Sequence, residues 1–448
     1  MAQISTIKYS DILEAHRYDA EYFKPEYLEI ERNIRKQSFS HFGELTRLFV
    51  KGIFDINSDV YTTHGIPFVR ISNLKNSIID DSDIVYITEE ENKKNKKTEL
   101  RYSDIILSKT AYPACSLVTL ERCNTSQDTI AIKLKADARI SSKFLVIFLN
   151  TKYGISQMRR YFTGNIQMHL NLTESKQILV PSLPSLFQKE ISDLFDESIE
   201  KQVQSKQLYH EANEILLKEL GLLNYQIKHN LAFSATKKEI EQSGRFDSEY
   251  FQPKYKEIIE KIEKYDGGWN TLENVIKFKD KNFIPKDGEK YKYLALSNIS
   301  SQGYIKDYQE ELGKNLPSRA RRRIHTGDVI ISSIEGSLSS CAIVDEEFDS
   351  AVCSTGFFVL NSEKINPETL LILFKSSIIQ ELLQRGTKGT ILTAISKTEL
   401  EYIRLPLVKK SVQQQIAARI QESHQLRKES KKLLEETKKK VEEEIERR

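Results

Sequence analysis

The sequence is poor in the residues that cross-link or punctuate small folds. Its 448 residues include 4 cysteines, 10 prolines, 17 glycines and 1 tryptophan. Cys115, Cys123, Cys341 and Cys353 form no C-x-x-C pair and have no histidine at zinc-ligand spacing. That pattern excludes a zinc centre and a disulfide framework and leaves buried, reduced thiols. The N-terminus, MAQISTIKYSDILEAHRYD, has no apolar h-region and no twin arginine. No apolar run reaches the ~18 residues needed to span a bilayer. The chain is therefore expected in the cytoplasm, with no membrane partner. An excess of one charge is also missing. Lys and Arg number 67 against 64 Asp and Glu, a net charge of +3. An anionic partner would be met by local patches, not by a global field.

Catalytic signatures are equally scarce. There is no G-x-G-x-x-G after a strand, no Walker A sequence, no H-E-x-x-H, no G-x-S-x-G and no Asn/Asp-Pro-Pro-aromatic tetrapeptide. The histidines are scattered, with no repeated partner acid. Asp104 and Asp328 recur at matching positions before apolar runs, but the acidic-x-Lys that a nuclease needs does not follow. They read as turn aspartates that start strands. The chain is expected to be non-catalytic, with no metal and no cofactor of its own.

What the sequence does have is a duplication. RYDAEYFKPEYLEI from Arg17 returns as RFDSEYFQPKYKEI from Arg245. IPFVRISNL from Ile66 is answered by YKYLALSNI from Tyr291, and SDIILSK from Ser103 by GDVIISS from Gly327. GNIQMHLNLTESKQILVP from Gly164 is answered by GTILTAISKTELEYIRLP from Gly389, and the Gln188–Ile191 tetrapeptide by Gln413–Ile416. The offset of about 225 residues is far too long for a solenoid repeat. Between these anchors the halves diverge almost completely, as in the stretches after Lys75 and after Ser300. One framework is used twice with two different interiors.

Each half is expected to open with a short charged helix carrying the EYF…P…Y motif, Tyr22, Phe23, Tyr27, Ile30 and Ile34 forming its apolar stripe. Strand-like runs follow: PFVRIS, DIVYIT, DIILSK and TIAIKL, then KYLALS, DVIISS, CAIVD and GFFVL. One apolar helix from Phe144 is matched by one from Leu370; each leads to a glycine-bearing loop and an exit at Pro181 or Pro406. A long polar helix closes each half. The first covers Gln188–Leu220 and stops at Gly221; the second runs from Gln413 to the C-terminus. Ile191, Leu194, Phe195, Ile199, Val203, Ala212, Ile215, Leu216 and Leu220 form one seam. Ile416, Ile420, Leu426, Leu433, Leu434, Val441 and Ile445 form the other. Spacings of three and four favour an antiparallel coiled coil. Helices of about 33 residues are about 50 Å long, roughly one and a half turns of duplex DNA. The expected fold is α+β: two tandem pseudo-symmetric α+β domains, residues 1–184 and 224–409, separated by helical spacers 185–223 and 410–448.

Basic residues fall in the divergent interiors: Lys93, Lys94, Lys96, Lys97 and Arg101, then Arg159 and Arg160, in the first half. In the second they are Arg319, Arg321, Arg322 and Arg323, then Arg385 and Lys388 beside Gly386 and Gly389. Cations near glycine loops suit phosphate oxygens, and arginine also reads guanine.

In the order of these anchors, twice over, the chain resembles the specificity (S) subunit of Type I restriction–modification systems, along its full length. The resemblance implies two target recognition domains, each reading one half of a split, asymmetric sequence on double-stranded DNA. It also implies that the antiparallel helices dock two modification (methyltransferase) subunits, which carry the S-adenosylmethionine chemistry. Restriction (endonuclease) subunits, which hydrolyse ATP, join that complex, so S-adenosylmethionine, ATP and Mg belong to the partners. Arg70, Asn73, Lys109, Asn298 and Ser333 fall on motif positions near the implied DNA face. Asn165 and Gln167, in the Gly164–Gln167 loop, and the Gly386–Thr390 loop join them. Arg70 has Ala295 at its partner position, so it has no shared role in the two halves. The other readings are an S-like subunit of another phage-defence or fused methyltransferase system, and a coiled-coil scaffold that binds protein.

Overall fold

The computed structural model describes residues 4–56, 58–75, 77–164, 168–388 and 393–448. The chain divides into two compact units: Met1–Lys201 together with Lys428–Arg448, and Gln202–Arg427. Each long helix therefore gives one end to each unit.

In the first unit, a large sheet has the strand order Thr46–Lys51, Thr129–Leu134, Ile105–Ser108, Cys115–Leu117, Ser77–Ile79, Leu74–Lys75. A smaller sheet orders Val85–Ile87, Ile66–Val69, Arg122–Thr125, Leu100–Arg101. The second unit repeats this plan. One sheet orders Lys277–Phe278, Phe357–Asn361, Val329–Ser332, Cys341–Ile343, and the other Gln309–Leu312, Lys290–Leu294, Val352–Ser354, Ala320–Arg323. In both small sheets the central pairing is parallel, Phe68 with Asn124 and Tyr293 with Val352. The strand segments expected from sequence are all present. The expected turn aspartates start the central strands: Asp104 accepts from the Arg101 N–H at 2.8 Å and Asp328 from the His325 N–H at 2.9 Å. All four cysteines are free and buried, and burial pushes the Cys123 and Cys341 thiols up to about 12.

Two local expectations change. The EYF residues precede their helices, which are Pro25–Arg35 and Pro253–Glu263 with proline in the first turn, where its missing N–H costs nothing. The expected single apolar helix of each half is two. Ser142–Leu149 gives way to Lys152–Tyr161, and Pro367–Lys375 to Ser377–Arg385. The breaks fall at N-caps: the Thr151 hydroxyl accepts from Gly154 N–H and Ser376 from Ile379 N–H, satisfying donors that a new helix start leaves unpaired.

The long helices span Ser185–Glu219 (35 residues) and Lys410–Arg447 (38 residues). They begin a turn before the expected glutamines, and the glutamines explain why their starts are fixed. Gln188 donates to the carbonyls of Leu183 (2.9 Å) and Arg139 (3.3 Å) and accepts from Ser141 N–H (3.2 Å). Gln413 repeats the set with Val408 (2.8 Å), Lys364 (3.1 Å) and Asn366 (2.9 Å). The helices run antiparallel within each unit. In the first, Glu190 pairs with Lys440 at 2.5 Å and Lys201 with Glu429 at 2.8 Å. In the second, Glu211 pairs with Arg419 at 3.1 Å.

The seam is less apolar than its sequence suggested. Ile191, Phe195, Leu216, Ile416, Ile420, Leu434, Val441 and Ile445 are buried, and Leu194, Ile215 and Leu433 are half-buried. Val203, expected in the seam, is 60% exposed. At that level the buried positions are Ser198 and Ser205, which keep the three–four spacing that Val203 leaves. Ser423, Ser430 and Thr437 are buried on the other helix. The Ser205 hydroxyl donates to the Ser423 carbonyl and Ser423 to that of Ser205, both at 2.7 Å. In the first unit Ser430 donates to the Ser198 carbonyl at 2.7 Å. A short side chain lets the backbones approach, and the hydrogen bond removes the cost of burying the hydroxyl. Each helix end also joins its unit's core: Ile191, Phe195, Leu434 and Val441 pack with Phe144 and Tyr153, and Ala212, Leu216, Ile416 and Ile420 with Tyr255 and Leu371.

Candidate nucleic-acid interface

The motif residues sort into those that build the fold and those that face outward. In the first unit Arg17 lies 4.9 Å and Arg160 4.1 Å from the Tyr22 ring centroid. Arg17 binds Asp19 at 2.7 Å, Asp19 accepts from Tyr22 N–H at 3.0 Å, and Arg160 donates to the Tyr22 carbonyl at 2.9 Å. The second unit copies this with Arg245 at 4.7 Å and Arg385 at 4.3 Å from Tyr250. There Arg245 binds Asp247 at 2.6 Å and Arg385 donates to the Tyr250 carbonyl at 3.1 Å. Arg385 thus holds its own tyrosine, a structural duty beside the DNA contact expected of it. The Asp19 and Asp247 carboxyls sit below their ordinary values, chiefly through the hydrogen bonds from Arg17 and Arg245.

Asn73 is also a structural residue. It is fully buried, accepts from Arg70 N–H at 2.9 Å and donates to the Asp80 carbonyl (2.9 Å) and the Asp83 carboxylate (2.7 Å). A side chain closed into its own turn cannot reach a base edge. Asn298, half-buried, makes the matching bond from Ala295 N–H at 2.8 Å. This recurring asparagine explains the shared SNL/SNI motif. Arg70 donates to the Asp83 carbonyl at 2.8 Å and keeps a third of its side chain exposed.

The central strand of each large sheet ends at Lys109 or Ser333, and loops gather there. Leu170 N–H donates to the Lys109 carbonyl and Ile395 N–H to that of Ser333, both at 2.8 Å. The next loop turns at Ala111 (φ 61°) in the first unit and Gly336 (φ 78°) in the second. Alanine in that left-handed region costs roughly 1–2 kcal/mol. The Tyr112 hydroxyl donates to the Ile71 carbonyl at 2.9 Å, which brings the Arg70 turn alongside the Lys109 loop. In the second unit the Ser354–Gly356 turn brings Arg319 and Ser333 together: Thr355 N–H donates to the Arg319 carbonyl (2.8 Å) and Ser333 N–H to that of Gly356 (2.9 Å). Arg319 is exposed and has no side-chain partner among the described residues. Its neighbours are more occupied. Arg321 donates to the Ser318 carbonyl (2.9 Å), Arg322 to the Asp280 carbonyl and Asn282 (3.0 Å), and Arg323 lies 5.0 Å from the Phe283 ring centroid. Lys388 is exposed but paired with Glu399. Asn165, Gln167, Gly389 and Thr390 lie outside the described residues.

Sequence reading missed Lys51 and Phe54, which the sheet order brings to the same end as Lys109. No local motif marks them, because the neighbour relation is made by a strand more than fifty residues on. Among the described residues no cluster of His, Cys, Asp and Glu is arranged to hold a metal, and no helix is long and apolar enough to cross a membrane.

Residues 268–443 match the family model described as the Type I restriction modification DNA specificity domain. The second half of the chain is therefore a DNA specificity domain, and the first half repeats its anchors. The match assigns DNA specificity to residues 268–443 and does not extend over the first half. Similar solved structures include the S subunit of a Type I restriction–modification system from M. genitalium. It is 13% identical, with 91% of this chain and 95% of that one covered and a TM-score of 0.41. The HsdS subunit from Thermoanaerobacter tengcongensis is 15% identical, with 89% and 96% covered and a TM-score of 0.29. No curated protein matches the chain.

Proposed function

We propose that the chain reads a bipartite, asymmetric duplex site, one half-site per unit, and is itself non-catalytic. The observation that carries this reading is the division of labour among the motif residues. Those shared by the halves are tied to their own backbone, while the residues at the loop-bearing strand ends differ between them. Lys109 and Arg70 in the first unit, and Arg319, Ser333 and the rest of the Arg319–Arg323 run in the second, are the contacts proposed for phosphates and base edges. Phosphate contacts set position and base contacts set sequence. The outer faces of the long helices dock two modification subunits, which supply S-adenosylmethionine chemistry; restriction subunits with ATP and Mg complete the complex in the cytoplasm.

The test is duplex binding by the full chain assembled with a modification subunit, measured against salt. The reading expects log affinity to fall linearly with log salt, by about 0.9 per neutralised phosphate. A salt-independent complex that binds protein only would replace it with the interaction-scaffold reading.

A further inference from the structure

At the end of the first unit's large sheet, the strand Thr46–Lys51 turns out of the sheet in a fixed way. A Cβ on Gly52 would meet the Ser126 carbonyl oxygen at 2.2 Å, so only glycine fits there. Ile53 N–H donates to the Thr125 carbonyl at 2.8 Å, and Asp55 turns the chain at φ 57°. Phe54 is thereby held 69% exposed, with Lys51 Nζ 4.4 Å from its ring centroid. Lys109 ends the strand Ile105–Ser108 at the same edge. The neighbouring ammonium is close enough to matter: burial first, then Lys51, push the Lys109 pKa below the ordinary lysine range, with Asp128 opposing. Neither lysine has an ion-pair partner among the described residues. Two like charges share an edge with an exposed aromatic ring, and successive phosphates of a strand, one at each lysine, would relieve their repulsion.

The second unit lacks this arrangement. Phe278 pairs with Leu360 as Phe49 pairs with Ile132. Two residues further along, the place of Lys51 is taken by Asp280, whose carboxylate binds Lys397 at 2.6 Å. Ser333 stands where Lys109 does. At this edge the second unit has a carboxylate with Lys397 and Arg322 beside it, whereas the two lysines of the first have no ion-pair partner among the described residues.

We propose that Lys51, Lys109 and Phe54 form a clamp on duplex DNA that belongs to the first unit alone, the lysines taking backbone phosphate and the ring an apolar contact with a base or sugar. The inference rests on the DNA reading above and adds an asymmetry to it: the positions that Lys51 and Lys109 use in the first unit are held by Asp280 and Ser333 in the second and take no phosphate there.

The experiment measures binding of a random-sequence duplex by the full chain with its modification subunit, across a salt series. Lys51→Gln with Lys109→Gln is expected to lower the slope of log affinity on log salt by about 1.8, two phosphates at 0.9 each. Phe54→Ala is expected to weaken binding with the slope unchanged. Lys397→Gln, at the matching edge of the second unit, is expected to leave the slope unchanged. An unaltered slope in the double variant overturns the proposal, whether or not affinity falls, because lost affinity alone would mean a structural role. An equal drop in slope for Lys397→Gln overturns the asymmetry. If the wild-type complex binds duplex without salt dependence, the DNA reading itself fails; a salt-dependent wild type with an unaltered variant sinks only the clamp.

Discussion

Tyr22 in the first unit and Tyr250 in the second lie under matching pairs of guanidinium groups, yet Lys51 in one answers Asp280 in the other. The comparison separates two kinds of residue. Asp19, Tyr22, Asn73, Arg160 and Gln188 recur, each tied by hydrogen bonds to nearby backbone, and Arg17 recurs bound to the Asp19 carboxylate. Lys51, Lys109 and Arg319 do not recur, and each is at least partly open to solvent. A duplicated chain that reads two different half-sites needs this division, because folding constrains both copies alike and recognition does not.

Three pairs of substitutions test how equivalent the copies are, from the largest expected effect to the smallest. Arg160→Ala removes the closer of the two cations on Glu31 (2.5 Å, with Arg35 left at 2.7 Å), the bond to the Tyr22 carbonyl and the contact with the Tyr22 ring, at a cost of about 2–3 kcal/mol. Arg385→Ala removes one backbone hydrogen bond and ring contacts with Tyr250 and Tyr255, about 1–2 kcal/mol. Urea midpoints would rank them, and the reverse order would show that the Glu31 pair contributes little. The seam serines come next. Ser205→Leu and Ser430→Leu each force a larger side chain between backbones now bridged at 2.7 Å, a loss of about 1–3 kcal/mol apiece. Thermal unfolding of the two variants should match; a clear difference would break the helical pseudo-symmetry.

The smallest effect is in acid. Asp19 and Asp247 have depressed folded-state values. Their stabilisation is therefore fully present above the ordinary aspartate value of about 4 and is lost as the pH falls below it. Asp19→Asn and Asp247→Asn are expected to flatten the acid limb of a stability–pH curve equally. A flattening confined to one of them would mean that only one motif carries load.

Much of this fold is legible in the sequence because the duplication states each anchor twice. Strand positions, the long helices and the family resemblance all follow from runs such as SDIILSK and GDVIISS. The seam was misread at Val203 because hydrophobicity marks candidate positions, whereas Ser198 and Ser205 are recognisable only once a carbonyl faces them at close range. Arg385 reads as a DNA contact because it lies beside Gly386 and Gly389, and Asn73 because it falls on a motif position near the implied DNA face. Their repetition was the sign of a structural duty. Lys51 and Phe54 escaped notice for the opposite reason: they are unrepeated, and only strand order brings them beside Lys109.

The most direct test of the central claim is to express the chain with a modification subunit and map methyladenine across a genome. Two copies of one fold with unlike loop-bearing ends predict a methylated sequence made of two different specified halves separated by unspecified bases. A single uninterrupted sequence, or a split site with identical inverted halves, would contradict the account.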